Sequence, residues 1–372
     1  MKHKVIGQGT YGCIHKESLR CNDITINTND TVSKVLLKDD AQKEMDSNNL
    51  IHHIDEDNTF HLGKPRICSI RKTKSNRDAI RQCAISKHIN RDKIDENVLI
   101  IMKDGGITLD NFADKLPNLA TNIENVQNVE LFWIETHRLV KGLQHFMESN
   151  FIHHDVKPQN LLYNENTGRV NFIDFGLSTT IKKLVKSSIN SENRRGSEWW
   201  SYPPEYKYIN KNNYTYYANN NDPNHYNNIV YLMLTNKKHD RTYHLRGFFP
   251  YISYWKKRYL QDLEWLYIYG LDDYNQLVNC CINTFDLYGL GFSLLNVLQS
   301  CKHLMNNELW YNLSELLYQT ITPNYMKRIT VNDLLDHYEI LLQESGLLHK
   351  HNFVIRNTNL IKTKRNKTLK RL

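Results

Sequence analysis

Short alternating runs of apolar and polar residues open the chain, and helical periods take over after about residue 105. Lys4-Val5-Ile6 leads into a glycine-rich turn, and Thr31–Leu37 alternates in the manner of a half-buried strand. Over 39–54, Ala41, Met45, Leu50 and Ile51 line one face of a predicted helix that Asp39 or Asp40 could cap. Strands are predicted again over 66–70 and 97–102. The clearest helix covers 129–149, where Leu131, Ile134, Leu139, Leu143, Phe146 and Met147 follow the helical repeat. Two short strands, 161–163 and 169–173, flank a turn at Asn164-Glu165-Asn166-Thr167-Gly168. Further helices are expected over 286–298, 308–318 and 331–342, the last opened by Thr330 and Asp333 as a capping box.

Composition changes this picture in three places. Residues 71–93 hold eight Lys/Arg against two Asp, which predicts a solvated basic loop inserted between strands. Residues 206–280 hold 14 of the 22 tyrosines and 12 asparagines. The first third of that segment resembles a loop, while the apolar clusters at 229–234, 248–249 and 263–268 are dense enough to fold. The formal charge of +8 lies entirely in residues 350–372, which carry eight Lys/Arg and no acid. The preceding chain is neutral, with forty charges of each sign, and the tail is expected to stay mobile. Seven scattered cysteines without a C-x-x-C pair suggest neither a disulfide framework nor a zinc ribbon, so a reducing compartment is expected. Neither an apolar signal core nor an apolar run of transmembrane length is present in the sequence, so no transmembrane segment is expected.

The chemistry is concentrated in short motifs. Gly7-Gln8-Gly9-Thr10-Tyr11-Gly12 matches G-x-G-x-x-G, in which absent side chains let backbone amides approach phosphate oxygens. The residues after it, up to Thr31, have no helical period, so a dinucleotide-binding strand-loop-helix does not fit. Lys34 sits within Thr31-Val32-Ser33-Lys34-Val35. Further on come Ile152-His153-His154-Asp155-Val156-Lys157-Pro158-Gln159-Asn160 and, after the hairpin, Asp174-Phe175-Gly176. Tyr202-Pro203-Pro204-Glu205, Asp286-Leu287-Tyr288-Gly289 and Arg328 complete the set.

In order and spacing these motifs resemble those of eukaryotic-type serine/threonine protein kinases: the glycine-rich loop, V-A-I-K, H-R-D-x-x-x-x-N, D-F-G, A-P-E and D-x-W/Y-G. The wording I-G-Q-G-T-Y-G-C, the Asn/Lys/Ile-rich composition and the 206–280 insertion resemble kinases of large nucleocytoplasmic DNA viruses in particular. The resemblance implies an α+β, bilobal protein kinase fold. Residues 1–103 would form a small β-rich N-lobe with one main helix and the basic insertion 71–93. Residues 104–345 would form a larger, mainly helical C-lobe with the Tyr/Asn-rich insertion 206–280, and 346–372 a basic tail. It implies ATP and Mg²⁺ as cofactors and serine or threonine in protein substrates as acceptors. Ile6, Gly7, Gln8, Gly9, Thr10, Tyr11, Gly12 and Ile14 would cover the nucleotide, Lys34 would hold its phosphates, and Met102 to Asp104 would read the adenine. Asp155 would accept the hydroxyl proton, Lys157 would neutralise the transferred phosphoryl, and Asn160 and Asp174 would ligate the metal. Glu44 is the candidate partner of Lys34 at a shorter gap than the family usually leaves, with Glu56 as fallback.

Several departures matter. His154 replaces the arginine of H-R-D, which in regulated kinases meets a phosphorylated activation loop, so switching by loop phosphorylation is not expected. Gly196-Ser197 lies one residue further from Glu205 than usual, and Ser197 and Ser201 compete to contact Asp155 and Lys157. Metal binding by His52-His53 is disfavoured because adjacent helical positions do not share a face. The rival readings are a pseudokinase or scaffold binding partners through 206–280, a small-molecule kinase on the same fold, and a nucleic-acid module. The tail 350–372 is a candidate accessory tether to nucleic acid or anionic membrane. A cytoplasmic location follows, in the host cell if the protein is viral, with virion or nucleus as alternatives.

Overall fold

A computed structural model describes residues 3–9, 12–83, 88–190, 199–219, 249–270, 272–356 and 359–363. The chain divides into two compact units, one of residues 1–106 with 173–176, the other of 107–172 with 177–372. The break after Gly106 falls three residues beyond the expected lobe boundary.

The first unit is built on an antiparallel sheet. Its strands are β1 (Lys4–Gln8), β2 (Cys13–Lys16), β3 (Thr31–Leu37), β4 (Arg66–Ser69) and β5 (Asn97–Lys103), in the order β1-β2-β3-β5-β4. The two-residue period sorts side chains onto opposite faces. Leu36 on β3 and Val98 and Ile100 on β5 pack with Ala41 of helix α1 (Lys38–Ile54), with Met45 and Met102 at the margin. The opposite set, Val35, Leu99 and Ile101, packs with Ala79 and Ile80 of a second helix, α2 (Lys74–Arg81). Helix α1 starts after Leu37 without a side-chain cap, and Asp39 and Asp40 lie in its first turn, where the helix dipole favours them.

Helix α2 corrects one expectation. Residues 74–83 are not a solvated loop: Thr73 caps the helix by accepting from the Asn76 amide, and Asn76, Ala79, Ile80 and Cys83 are buried. The basic residues Lys74, Arg77 and Arg81 take only the exposed face. The cysteine reading is corrected too. Cys13 is joined to Cys83 and Cys21 to Cys68, each pair with Cα atoms 5.8 Å apart. Four cysteines far apart in sequence therefore cross-link the apolar layer between the sheet and α2.

The second unit contains β6 (Ile107–Thr108), α3 (Leu109–Lys115), α4 (Ile123–Glu148), β7 (Phe151–Ile152), β8 (Leu161–Asn164), β9 (Arg169–Phe172) and β10 (Thr179–Thr180). β6, β8 and β9 form one small sheet, and β7 pairs with β10. Its centre is the helix Phe285–Ser300, buried from Phe285 through Leu298, with the helices Asn307–Ile321 and Val331–Glu344 following. The Thr330 cap is present, accepting from the Asp333 amide at 3.2 Å. Within the tyrosine-rich segment, Lys211–Asn219 is helical where a loop was expected, and residues 220–248 lie outside the described residues. Its second half packs firmly: Ile252, Trp255, Tyr259, Leu263 and Leu266 are buried, and Trp255 donates to Ser314 at 2.8 Å.

The beginning of the basic tail is also folded, contrary to expectation. Leu347–His351 forms a helical turn, and the strands Phe353–Arg356 and Asn359–Lys362 pair as a hairpin. Leu347, Leu348 and Phe353 are buried, while Lys350 and His351 both reach Glu130 of α4 at 2.7 Å. Residues 364–372, with five of the eight tail charges, lie outside the described residues. Among the described residues no single helix is long and apolar enough to cross a membrane. Because Phe353 belongs to the core of the second unit, Phe353→Ala should lower unfolding free energy by about 3 kcal/mol in denaturant melts, an effect a mobile tail would not produce.

Candidate active site

Lys34 is central on β3, paired across the sheet with Ile14 on β2 and Ile100 on β5. The strand's alternation turns it to the face that carries α1, and Glu44, in the second turn of that helix, meets it at 2.7 Å. Asp174, grouped with the same unit, stands 3.7 Å from the Lys34 ammonium. Burial alone would pull the lysine down, but Asp174 and Glu44 together more than offset it and hold its pKa above the ordinary value, so Lys34 is charged. Asp174 has φ 61°, in the left-handed region that aspartate tolerates better than most residues, and its side chain is the more open of the two acids.

The glycine-rich turn closes with Gly9 donating to the Gly12 carbonyl at 2.9 Å. Gly12 has no room for a side chain: a Cβ there would stand 2.7 Å from Leu36 and 3.0 Å from the Lys34 stem. Ile6 is 44% exposed, Gly7 and Gln8 end β1, and Ile14 lies on β2; Thr10 and Tyr11 lie outside the described residues. Met102 is half-buried near the end of β5. Asp104 is tied down by Lys16 at 2.8 Å and accepts from the Gly106 amide at 3.0 Å.

In the second unit, Asp155, Lys157 and Asn160 converge on one carboxylate. The Lys157 ammonium lies 2.6 Å from Asp155 Oδ2, and Asn160 Nδ2 donates to the same oxygen at 2.8 Å and to the Asp155 carbonyl at 2.9 Å. Both amide bonds use the nitrogen, which leaves the Asn160 carbonyl oxygen as its atom for a cation. The loop is held from below by the central helix. Asp286 accepts from the His153 and His154 amides at 2.6 and 2.9 Å, and Gly289 lets the Val156 carbonyl approach so closely that any Cβ would collide with it.

Glu205 and Arg328 meet as a bidentate pair, at 2.5 and 3.1 Å, with both side chains fully buried. The remaining guanidinium hydrogens go to the Thr322 carbonyl and Thr284 hydroxyl, so the charge is both paired and solvated by the protein. Among the described residues Ser201 Oγ is buried without a hydrogen-bond partner, and Ser197 lies outside the described residues. Gln159 was missed as a contact: its amide donates to Asp110 at 2.8 Å and to the Tyr251 hydroxyl at 3.0 Å. It occupies a variable position of its motif, and Tyr251 comes from the insertion, so no local signal joined them.

His154 takes φ 65° and stacks on Tyr202, with its Nε2 3.1 Å from the Tyr206 hydroxyl. Burial, with His153 beside it, pushes the imidazole down to about 4 from 6.5. The folded protein keeps it neutral while the unfolded chain protonates it, so this residue costs stability as pH falls below 6.5, on the order of 2 kcal/mol by pH 5. His154→Asn should remove that part of the acid sensitivity in denaturant melts at pH 7.5 and 5. Glu205→Ala should cost about 3–5 kcal/mol by stranding the Arg328 charge, and Arg328→Ala added to it should cost little more; additive losses would mean the pair is uncoupled.

The chain matches the protein kinase domain family over residues 1–241. It is 31% identical over 105 residues to the MAP kinase kinase PBS2 of Saccharomyces cerevisiae, a segment that is 28% of this chain and 15% of the yeast protein. It is 45% identical over 53 residues to a non-specific serine/threonine protein kinase of Drosophila melanogaster, 13% of this chain and 8% of that protein. The chain thus spans well under a quarter of either relative. The family match covers more than half of its length and contains Lys34, Glu44, Asp155, Lys157, Asn160 and Asp174, and the chain belongs to the protein kinase domain family.

Proposed function

We infer that the protein transfers the γ-phosphoryl group of ATP to serine or threonine hydroxyls of protein substrates. The observation that carries this reading is the completeness of the charged set: Lys34 held by Glu44 at 2.7 Å, and Asp155 with Lys157 and Asn160 within 2.6 to 2.9 Å. A scaffold has no need to keep buried charges so arranged. Family membership and the two kinase relatives support the same activity.

In this reading Lys34 binds the α- and β-phosphates, and Glu44 keeps its ammonium aimed. Asp155 accepts the hydroxyl proton, while Lys157, already 2.6 Å from it, balances the phosphoryl charge. Lysine two residues after the base supports a serine/threonine acceptor. The carboxylate of Asp174 and the carbonyl oxygen of Asn160 are hard donors that suit Mg²⁺, which when bound supplies charge neutralisation on the phosphate oxygens. The neutral His154 offers no dock for a phosphorylated activation segment, so turnover does not depend on one. A further reading makes the basic residues after 363 an accessory contact for polyanions, and the viral resemblance rests on composition and loop wording.

Asp155→Asn should lower kcat about 100-fold or more in single-turnover phosphorylation of a protein extract while leaving ATP affinity near wild type. Asp174→Asn should instead weaken Mg-ATP binding in calorimetry by about tenfold or more. Undiminished transfer by the first variant, or phosphotyrosine as the product, would overturn the assignment.

A further inference from the structure

Helix α2 and its disulfide take no part in the proposed chemistry, yet they grip the glycine-rich hairpin at three points. Gln8, just before the turn, donates to the Gln82 carbonyl at 3.4 Å. His15 Nε2 lies 3.2 Å from the Ala79 carbonyl. Cys13, immediately after Gly12, is bonded to Cys83, one residue past the helix cap. The helix has its own footing: Asn76 donates to the Arg20 and Arg71 carbonyls and accepts from the Arg20 amide. Cys21–Cys68 fastens that connection to β4.

We propose that Cys13 and Cys83 are a redox modification site whose reaction partner is a small disulfide or thiol of the glutathione class, and that its state sets the mobility of the glycine-rich hairpin. Two observations separate this pair from Cys21–Cys68. Of the two, only this pair joins the hairpin to α2, and among the described residues only it has an imidazole beside both sulfurs, with His15 Nε2 3.9 Å from Cys13 Sγ and 3.8 Å from Cys83 Sγ. Because the Ala79 carbonyl can only accept, His15 Nε2 carries the ring proton, and this N–H is the polar group beside both sulfurs, placed to steady a thiolate when one forms; burial holds the imidazole below its ordinary pKa. In the forward direction one thiolate attacks the small disulfide and expels one thiol. The second thiolate then attacks the mixed disulfide and expels the other, so two cysteine thiols and RSSR give Cys13–Cys83 and two RSH. Excess thiol reverses it.

Both sulfurs are fully buried, so exchange proceeds through local opening, and each state then persists. Because Cys13 faces Val35 while Lys34 faces the other way, the bond acts on the nucleotide site only through the backbone of β2 and β3. The same donors, Cys13, His15 and Cys83, lie within 4.8 Å of one another and would suit a thiophilic cation in the reduced state. Among the described residues no fourth ligand joins them, whereas structural zinc takes four, and this favours the disulfide.

The effect on nucleotide rests on the proposed function; the effect on the hairpin does not. The test uses full-length protein with and without dithiothreitol, read by disulfide-mapping mass spectrometry, hydrogen exchange over residues 4–16 and calorimetry with Mg-ATP. A linked Cys13–Cys83 peptide without reductant is expected. Faster exchange at 12–16 on reduction should accompany it, with ATP affinity weakened about fivefold as the binding-competent hairpin becomes less populated. Cys83→Ser should match the reduced form in either buffer, and Cys68→Ser should keep the response. Free thiols at both positions without reductant, one equivalent of bound zinc, or exchange unchanged by reduction would overturn the latch. A hairpin that responds in a protein that binds no ATP in either state would support the latch and overturn only the nucleotide reading.

Discussion

The position of the loop 153–160 depends on the carboxylate of Asp286. It accepts two successive backbone amides, from His153 and His154, at the start of a helix that is buried along most of its length. Two charge-assisted bonds to one rigid element fix the chain just before Asp155, and the bare Gly289 admits the Val156 carbonyl one turn further on. With both anchors made, the Lys157 and Asn160 side chains have only to fall back on Asp155. Their order is a consequence of backbone placement, which sets the geometry of the Asp155 carboxylate.

What the sequence disclosed follows from how local each signal is. Lys34, Asp155, Asn160 and Asp174 sit in contiguous motifs, and the sheet, α1 and α4 follow from periods of two and of about 3.6. Glu44 needed one more step, the angle that a helix beginning at Lys38 gives its second turn. The disulfides were not legible because the pairing partners lie 70 and 47 residues apart and meet only once the strand order and the seat of α2 are set. Charge counting misled twice for one reason: α2 and the tail each bury only a few side chains, Ala79 and Ile80 in one and Leu347, Leu348 and Phe353 in the other. A narrow apolar stripe under many lysines and arginines reads as solvated until its partner surface is known.

The buried charges follow two different rules. Arg328 and Glu205 are enclosed, and the guanidinium is satisfied five-fold by carboxylate, carbonyl and hydroxyl, so the arginine keeps its charge inside the core. His154, enclosed among Tyr202, Tyr206 and Phe285, has among the described residues a single phenol near Nε2 and no such company, and it gives up its proton instead. The family position that usually holds a permanent cation here holds an aromatic neutral side chain that packs.

That substitution changes what orders the neighbouring segment. A cation would leave the environment of Tyr202 and Tyr206 waiting for an anion, whereas the imidazole, Tyr202, Tyr206 and Phe285 already fill the space with ring contacts of 4.8 to 5.8 Å. Ser188 adds a hydroxyl contact to Tyr206 at 3.1 Å, so the helix Ile181–Asn190 is tied into the same cluster. Apolar packing of this kind is insensitive to salt, and adding charge to it means first breaking it. Among the described residues, the contacts around His154 are ring packing and one contact to a phenol, not an ion pair.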